Sequence, residues 1–397
     1  MEEALAGVRV LDLTQALAGP YATMLLADLG AEVIKIERPG SRRQIQGPFS
    51  YRGMDAYFIG VNRNKKSVAL DLKHPRGREV FYDLVRVSDV VMDNFRPGVT
   101  KKLGVDYESL SAINPRIICT SITGYGSVGP YRHRPAYDLV VQAISGAISI
   151  TGHPGQPPAR NGVAVADQGA GFVAAAATIA ALYRRQQTGR GQKVGTSLLE
   201  AMMYQLAYEI ALYTISGIMP EPIGCKHQMV VPYNVYQGSD GRYFALAAPF
   251  LFRQVCEAIG RPELVEDERF NRPDRLLQNR EALEEELSAT FRTRPAHEWV
   301  RILQEADIPC GPVNNLQEAI DDPQVQATQM VVSVPHVLGG EVRLVGVPVQ
   351  MSGTSHQRRH EFTSPPTLGQ HTEEVLTQVL GYGRDRIEEL RSQGVIG

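Results

Sequence analysis

Cysteine is scarce in this chain: four occur in 397 residues, at Cys119, Cys225, Cys256 and Cys310. They lie far apart and form no CxxC pair, so neither a zinc knuckle nor a disulfide framework is indicated. Reduced thiols in a cytoplasmic enzyme are the simpler reading. An excess of either charge is also missing. The formal net charge is −2, which offers no handle for nucleic acid or an anionic membrane. The first residues, MEEALAGVRVLDLT, carry acids where a secretory signal needs basic residues. The longest apolar stretch, 201–219, is interrupted by Gln205, Glu209 and three tyrosines. It reads as a buried helix packed on a partner, not as a membrane span.

Several catalytic signatures are absent. There is no HExxH and no GxSxG. The single HxxxH pair, His356 and His360, sits in a polar, basic stretch with no third ligand, so it reads as a surface loop and no metal is expected. The first turn, Thr14 to Pro20, lacks GxGxxG. A formal match from Gly124 to Gly129 runs into Pro130 and Pro135 instead of a helix. A nicotinamide cofactor is therefore not expected.

What is present is alternation. Val8 to Leu13, Ala31 to Ile36, Ser67 to Leu72, Val90 to Met92 and Ile117 to Ile122 read as short strands. Helical patterns lie between them, from Gly19 to Leu29 and from Gly77 to Val87. The expectation is an α/β fold: an open, Rossmann-like parallel sheet in a large domain. Gly217, Pro220, Pro222 and Gly224 mark a linker. The expected organisation is a large domain over 1–215, a linker over 216–232, a smaller α/β domain over 233–317, and a segment 318–397 that returns to complete the large domain. In the small domain two strands flank Ser239-Asp240-Gly241, and helices are expected over Asn279–Thr293 and His297–Ala306. The tail reads as strands from Glu341 to Met351 and one helix from about Glu373 to Gln393.

Asp167 follows a short apolar run and precedes Gly169, Gly171 and a helical pattern from Phe172 to Arg184. A carboxylate at the positive end of a helix dipole is held ionised, and neighbouring glycines leave room for a substrate. That combination suits a nucleophile; a helix cap is the competing reading. Asp138 is a second carboxylate. It reads as a helix-start residue before the apolar segment Leu139 to Ile150. Arg38, at a strand's carboxyl edge, together with Arg63, Lys65, Lys66, Lys73, Lys101 and Lys102, points to a ligand with several phosphates. Asn94 and Phe95 add an amide and an aromatic for reading and stacking a base; a solvated basic face is the alternative.

The ordered motifs carry a resemblance. They are GVRVLDLTQALAGPYATMLLADLGAEVIKIERPG at 7–40, NRNKKSVALDLK at 62–73, DNFRPG at 93–98, SITGYGSVGP at 121–130, AYDLVVQAISG at 136–146, TGRGQKVGTSLLEA at 188–201 and IPCGPV at 308–313. The chain resembles the family III CoA-transferases, the formyl-CoA transferase and CaiB/BaiF group, from end to end. The resemblance implies a CoA-transferase with Asp167 as nucleophile, working through aspartyl anhydride and aspartyl-CoA intermediates. It implies coenzyme A contacts at Ala16, Leu17, Ala18, Arg38, Leu70, Asp71, Leu72, Lys73, Asn94, Phe95, Arg96, Lys102 and Tyr137. Backbone donors around Gln168, Gly169 and Gly171 are read as oxyanion or substrate groups. An acyl-CoA donor, a small carboxylic acid acceptor and an interlocked homodimer are implied as well.

The departures from the formyl-CoA transferases bear on substrate. Leu17 stands where they have a glutamine, Lys102 replaces an arginine, and no glycine-rich loop occurs between Met219 and Ala248. The pattern is closer to members that use succinyl-CoA and small dicarboxylates, with Arg52 or Arg63 as cations for the free carboxylate. The α-methylacyl-CoA racemases share the fold and are the alternative, as is a catalytically silent CoA-binding protein. The racemase base is a histidine at the position of Tyr137, and a tyrosine with an ordinary pKa of about 10 is a poor base at neutral pH.

Overall fold

The computed structural model describes residues 3–42, 44, 47–353 and 362–397. His356 and His360 lie outside the described residues. The chain divides into two compact units. One comprises Met1–Ala147, Arg160–Ile210 and Gln324–Gly397; the other comprises Ile148–Ala159 and Ala211–Pro323.

Six parallel strands form the sheet of the first unit: β1 (Arg9–Asp12), β2 (Glu32–Glu37), β3 (Lys65–Ala69), β4 (Val90–Asp93), β5 (Ile118–Thr123) and β6 (Lys193–Ser197). Their spatial order is β3-β2-β1-β4-β5-β6. This is the doubly wound order, and its direction of winding reverses between β1 and β4. Five of the six strands are legible as apolar runs, because a sheet covered on both faces selects such runs. β6, KVGTS, escapes that reading because only Thr196 and Ser197 are buried.

Helices α1 (Ala18–Asp28), α2 (Ala56–Val61), α3 (Pro75–Arg86), α4 (Val99–Leu103), α5 (Tyr107–Ile113), α6 (Asp138–Ile144), α7 (Val165–Thr188), α8 (Leu198–Gln205) and α9 (Ala207–Ser216) follow the strands. α3 packs Val80, Phe81, Leu84 and Val85 into a core with Leu11, Ile34, Val68 and Val91. Truncating a fully buried phenylalanine such as Phe81 to alanine costs about 3–5 kcal/mol. By length and composition α7 matches a membrane span; in this fold it lies along α1, α8, β5 and β6.

Three expectations are corrected. The helix expected from Phe172 begins at Val165, so Asp167 lies inside its first turn. The segment 201–219 is not one buried helix. It breaks at Leu206 into α8 and α9, and no residue of α9 is buried within this single chain. The C-terminal helix is two helices, Thr372–Gln378 and Arg384–Ser392. Gly381, at φ +67°, turns the chain between them into a conformation that a helix cannot continue.

The second unit carries an antiparallel sheet of Cys310–Pro312, Tyr243–Ala247 and Tyr233–Gln237. Helices Arg280–Phe291 and Ala296–Glu305 cover it. Phe291 centres its core, 4.8 Å from Tyr236, 5.1 Å from Phe244 and 5.4 Å from Trp299 between ring centroids.

Candidate functional site

A cavity of about 900 Å³ opens at the carboxyl ends of β1, β2, β3 and β4. Doubly wound sheets bind ligands at this edge, and the volume is at the upper end of ligand pockets, on the order of 300–1,000 Å³. Its wall includes seven residues anticipated from sequence: Ala16, Arg38, Leu70, Asp71, Leu72, Lys73 and Phe95. Arg38 and Lys73 bring cations to the strand ends, and Phe95 brings an aromatic face. Gln15, Arg42 and Tyr57 also line the cavity and were not anticipated. Tyr57 sits on the short helix α2, capped by Asp55 through the Tyr57 backbone N–H. A single tyrosine on a six-residue helix carries no periodic signal.

The other anticipated positions do not line this cavity. Leu17 is buried against Met24 and Val61. Ala18 opens α1. Arg96 and Lys102 flank the wall residues Phe95 and Leu103 without joining them. Tyr137, the N-cap residue of α6, is 74% exposed. Asn94 spends its side-chain amide on the backbone of Gln15, donating to the Gln15 carbonyl at 2.6 Å and accepting its N–H at 2.9 Å. One N–H and one lone pair of the amide are thus taken up by the loop, leaving the other N–H and lone pair for a base.

Two cations of the anticipated basic set, Arg63 and Lys65, are internal, and a third, Lys66, is part-exposed but paired. Arg63 is buried in a salt bridge to Asp28 at 2.5 Å, and its guanidinium lies 4.5 Å from the Phe362 ring centroid. That excludes it as a partner for a substrate carboxylate. Lys65 is buried on Asp12, Asn62 and the Pro20 carbonyl. Lys66 pairs with Glu32 and Glu374. Arg52 is exposed and donates to the Leu338 carbonyl.

Asp167 is half-buried in the first turn of α7. Four orphan N–H groups begin any helix, and here those of Val165, Ala166 and Asp167 have acceptors. Val165 donates to Val163 O at 2.8 Å, and Gln168 makes the first intrahelical bond, to Ala164 O at 2.9 Å. Ala166 and Asp167 both donate to Asp138 Oδ1, at 2.9 and 3.3 Å. Asp138 Oδ2 accepts from Gln142, whose own carbonyl accepts from Asn161 N. Asp138 thus starts α6, as its sequence indicates, and also caps α7, which its sequence does not reveal.

The capping arrangement overturns the oxyanion reading of this turn. The Gln168 N–H is committed, and the two glycines serve packing. A Cβ at Gly169 would stand 2.2 Å from the Gln205 amide nitrogen, and one at Gly171 would stand 2.7 Å from the Ala18 carbonyl oxygen. Gly171 is four residues after Asp167 and shares its helix face. The close approach of α1 at Gly171 therefore brings the start of α1, and the cavity loop before it, to the face that carries Asp167.

The Asp167 carboxylate has no hydrogen-bond partner among the described residues. Burial, and then the Asp138 charge, push it up from 3.8 to about 6. The helix dipole was expected to hold it low; the adjacent N–H groups are instead spent on a second carboxylate. Burial, followed by the charges of Asp167, Asp138 and Asp55, raises the Tyr57 phenol to about 12. The cavity wall at Tyr57 therefore feels the charge on Asp167. Among the described residues no cluster of three or more metal-ligating side chains occurs. The arrangement offers an ionisable, poorly solvated carboxylate and a phenol that stays protonated, beside a cavity with cations at its strand ends.

The comparisons with known proteins agree on one family. The sequence profile described as CoA-transferase family III matches residues 5–372. The chain is 39% identical over 396 residues to the succinyl-CoA:glutarate CoA-transferase of Mus musculus, covering 99% of this chain and 90% of that protein. It is 37% identical over 365 residues to the acetyl-CoA:oxalate CoA-transferase of Acetobacter aceti, covering 91% of this chain and 92% of that one. A crystal structure of a CaiB/BaiF family protein from Brucella suis superposes with a TM-score of 0.84 at 34% identity, covering 96% of this chain and 100% of the other.

Proposed function

The chain belongs to CoA-transferase family III, and from that premise we propose that it moves CoA from succinyl-CoA to a small dicarboxylic acid through covalent intermediates on Asp167. The observation that carries this reading is the Asp167 carboxylate itself: half-buried, without a hydrogen-bond partner, raised to about 6, and sensed by Tyr57 on the cavity wall. A carboxylate with this value is mostly ionised at neutral pH yet more basic, and so more nucleophilic, than an ordinary one.

An Asp167 oxygen attacks the donor thioester carbonyl. The C–S bond breaks, giving an acyl-aspartyl anhydride and CoA thiolate. The thiolate attacks the aspartyl carbonyl, forming an aspartyl-CoA thioester and releasing the donor acid. The acceptor carboxylate then attacks that thioester, giving a new anhydride and thiolate. Attack of thiolate on the acceptor's acyl carbon yields the product thioester and restores the Asp167 carboxylate. Each step trades one activated acyl group for another, so no outside energy source enters. Tyr57 donates a hydrogen bond to the oxyanions that form. Arg38 and Lys73 hold the CoA phosphates.

The exposed side chains of α9, Tyr213 and Ile215 among them, belong to this reading as the face covered in a homodimer. The test is exchange between succinyl-CoA and glutarate, followed by mass spectrometry. Wild type should form glutaryl-CoA, and Asp167→Ala should bind CoA but form none. Full activity in Asp167→Ala sinks the proposal.

A further inference from the structure

We infer that Asn94 is a positioning residue whose side chain holds the cavity loop Thr14–Leu17 beside Asp167. The inference rests on the CoA-transfer reading above. It starts from topology. The sheet reverses its winding between β1 and β4, so the loops that leave these two strands diverge. The ladder between them ends where Leu13 N donates to Met92 O at 2.9 Å. Two residues further on, the backbone of Gln15 has no strand to pair with. The Asn94 amide substitutes for one: its Oδ1 accepts Gln15 N at 2.9 Å and its Nδ2 donates to Gln15 O at 2.6 Å. Asn94 is itself held by a tight turn in which Phe95 N donates to Asp93 Oδ1 at 3.0 Å.

The next residue shows what this clamp holds. Ala16 sits at φ +59°, a left-handed conformation disfavoured for any residue with a Cβ. Such a conformation persists when its surroundings over-determine it, and here they do. Before Ala16, the Thr14 carbonyl accepts from Lys35 Nζ at 2.8 Å, and Thr14 N and Oγ1 both donate to buried Asp12. After it, Ala18 is pressed against Gly171 on the Asp167 face of α7. Gln15 and Ala16 line the cavity, whereas Asn94 does not. The side chain therefore acts through the loop.

A contact residue and a clamp predict different results. Asn94→Ala should leave CoA affinity, measured by calorimetry with CoA alone, within about threefold of wild type, while kcat for succinyl-CoA and glutarate falls roughly 30-fold through misplacement of the loop. Glycine accepts φ +59° without strain. Adding Ala16→Gly to Asn94→Ala should therefore recover about fivefold or more of the lost kcat relative to Asn94→Ala alone. Amide hydrogen exchange over residues 14–18 should quicken in Asn94→Ala, a readout that needs no turnover. Should Asn94→Ala not fold, the near-isosteric Asn94→Asp takes its place, because it keeps the acceptor for Gln15 N and loses the donor to Gln15 O. A tenfold or greater loss of CoA affinity with kcat retained overturns the inference, as does unchanged exchange over 14–18. Absence of acyl exchange in wild type would count against the proposed function, while the affinity and exchange measurements would still decide the role of Asn94.

Discussion

Asp138 Oδ1 receives the backbone N–H of Asp167 at 3.3 Å, so one carboxylate fixes the helix turn that carries another. The pairing has two opposed effects. Hydrogen bonding orders the first turn of α7, while the neighbouring negative charge joins burial in raising Asp167 to about 6. Asp138 therefore tunes Asp167 through charge and places it through geometry.

Asp138→Asn separates the two effects. Asparagine keeps an acceptor for Ala166 N and Asp167 N and removes the like charge, losing only the bond that Asp138 Oδ2 accepts from Gln142. Asp167 is raised above its ordinary value, so wild-type activity should climb with pH as the carboxylate ionises near 6. In Asp138→Asn that acidic limb should move to lower pH. For folding the sign is the reverse. A carboxylate raised in the folded state loses stability as pH rises from its unfolded value through about 6, and the variant should lose less over that window. Rate profiles and urea midpoints between pH 4 and pH 8 check both; an unmoved limb would remove Asp138 from the tuning role.

Tyr57 is raised to about 12 and stays protonated at any working pH. Tyr57→Phe keeps the ring and deletes the donor. We expect kcat to fall roughly 10–100-fold with the KM for the CoA ester little changed. A selective rise in KM would make Tyr57 a binding contact.

The basic residues should divide by placement. Arg38→Ala and Lys73→Ala, on the cavity wall, should raise the KM for the CoA ester about tenfold with kcat nearly constant. Arg63→Leu breaks a buried pair with Asp28 and should instead cost about 3–5 kcal/mol in urea unfolding. A stable Arg63→Leu protein with altered acceptor choice would contradict that placement.

Acceptor choice is open to direct competition. Leu17 offers no amide, so with succinyl-CoA as donor, four- and five-carbon dicarboxylates should outcompete oxalate and long-chain fatty acids. Arg52→Ala should raise the KM for the acid more than that for the thioester if Arg52 holds the free carboxylate. Preference for oxalate would overturn the substrate assignment and leave the family unchanged.

The sheet is legible because its central strands are apolar runs, and the helices α1 and α3 because helical patterns begin at Gly19-Pro20 and Gly77, the second two residues inside the observed start at Pro75. β6 is hidden by its polar, half-exposed sequence, and a single glycine such as Gly381 inside a helical pattern does not by itself mark a break. Motifs singled out Asp167, Arg38, Lys73 and Phe95, and the last three line the cavity. They did not reveal that Asp138 caps a helix 27 residues further on, that Asn94 bonds across 79 residues to Gln15, or that Arg63 is buried on Asp28. Each of these is a long-range pairing, and side-chain partners across a sheet edge leave no local spacing to read.

In the proposed mechanism the acyl group and CoA are each bonded in turn to Asp167. Wild type incubated with succinyl-CoA and then trapped with hydroxylamine should yield, on peptide mass spectrometry, a hydroxamate on Asp167 that is absent from Asp167→Ala and from enzyme without donor. Robust exchange of CoA between succinyl-CoA and an acceptor with Asp167 unmodified, or with the label on another carboxylate, would contradict it.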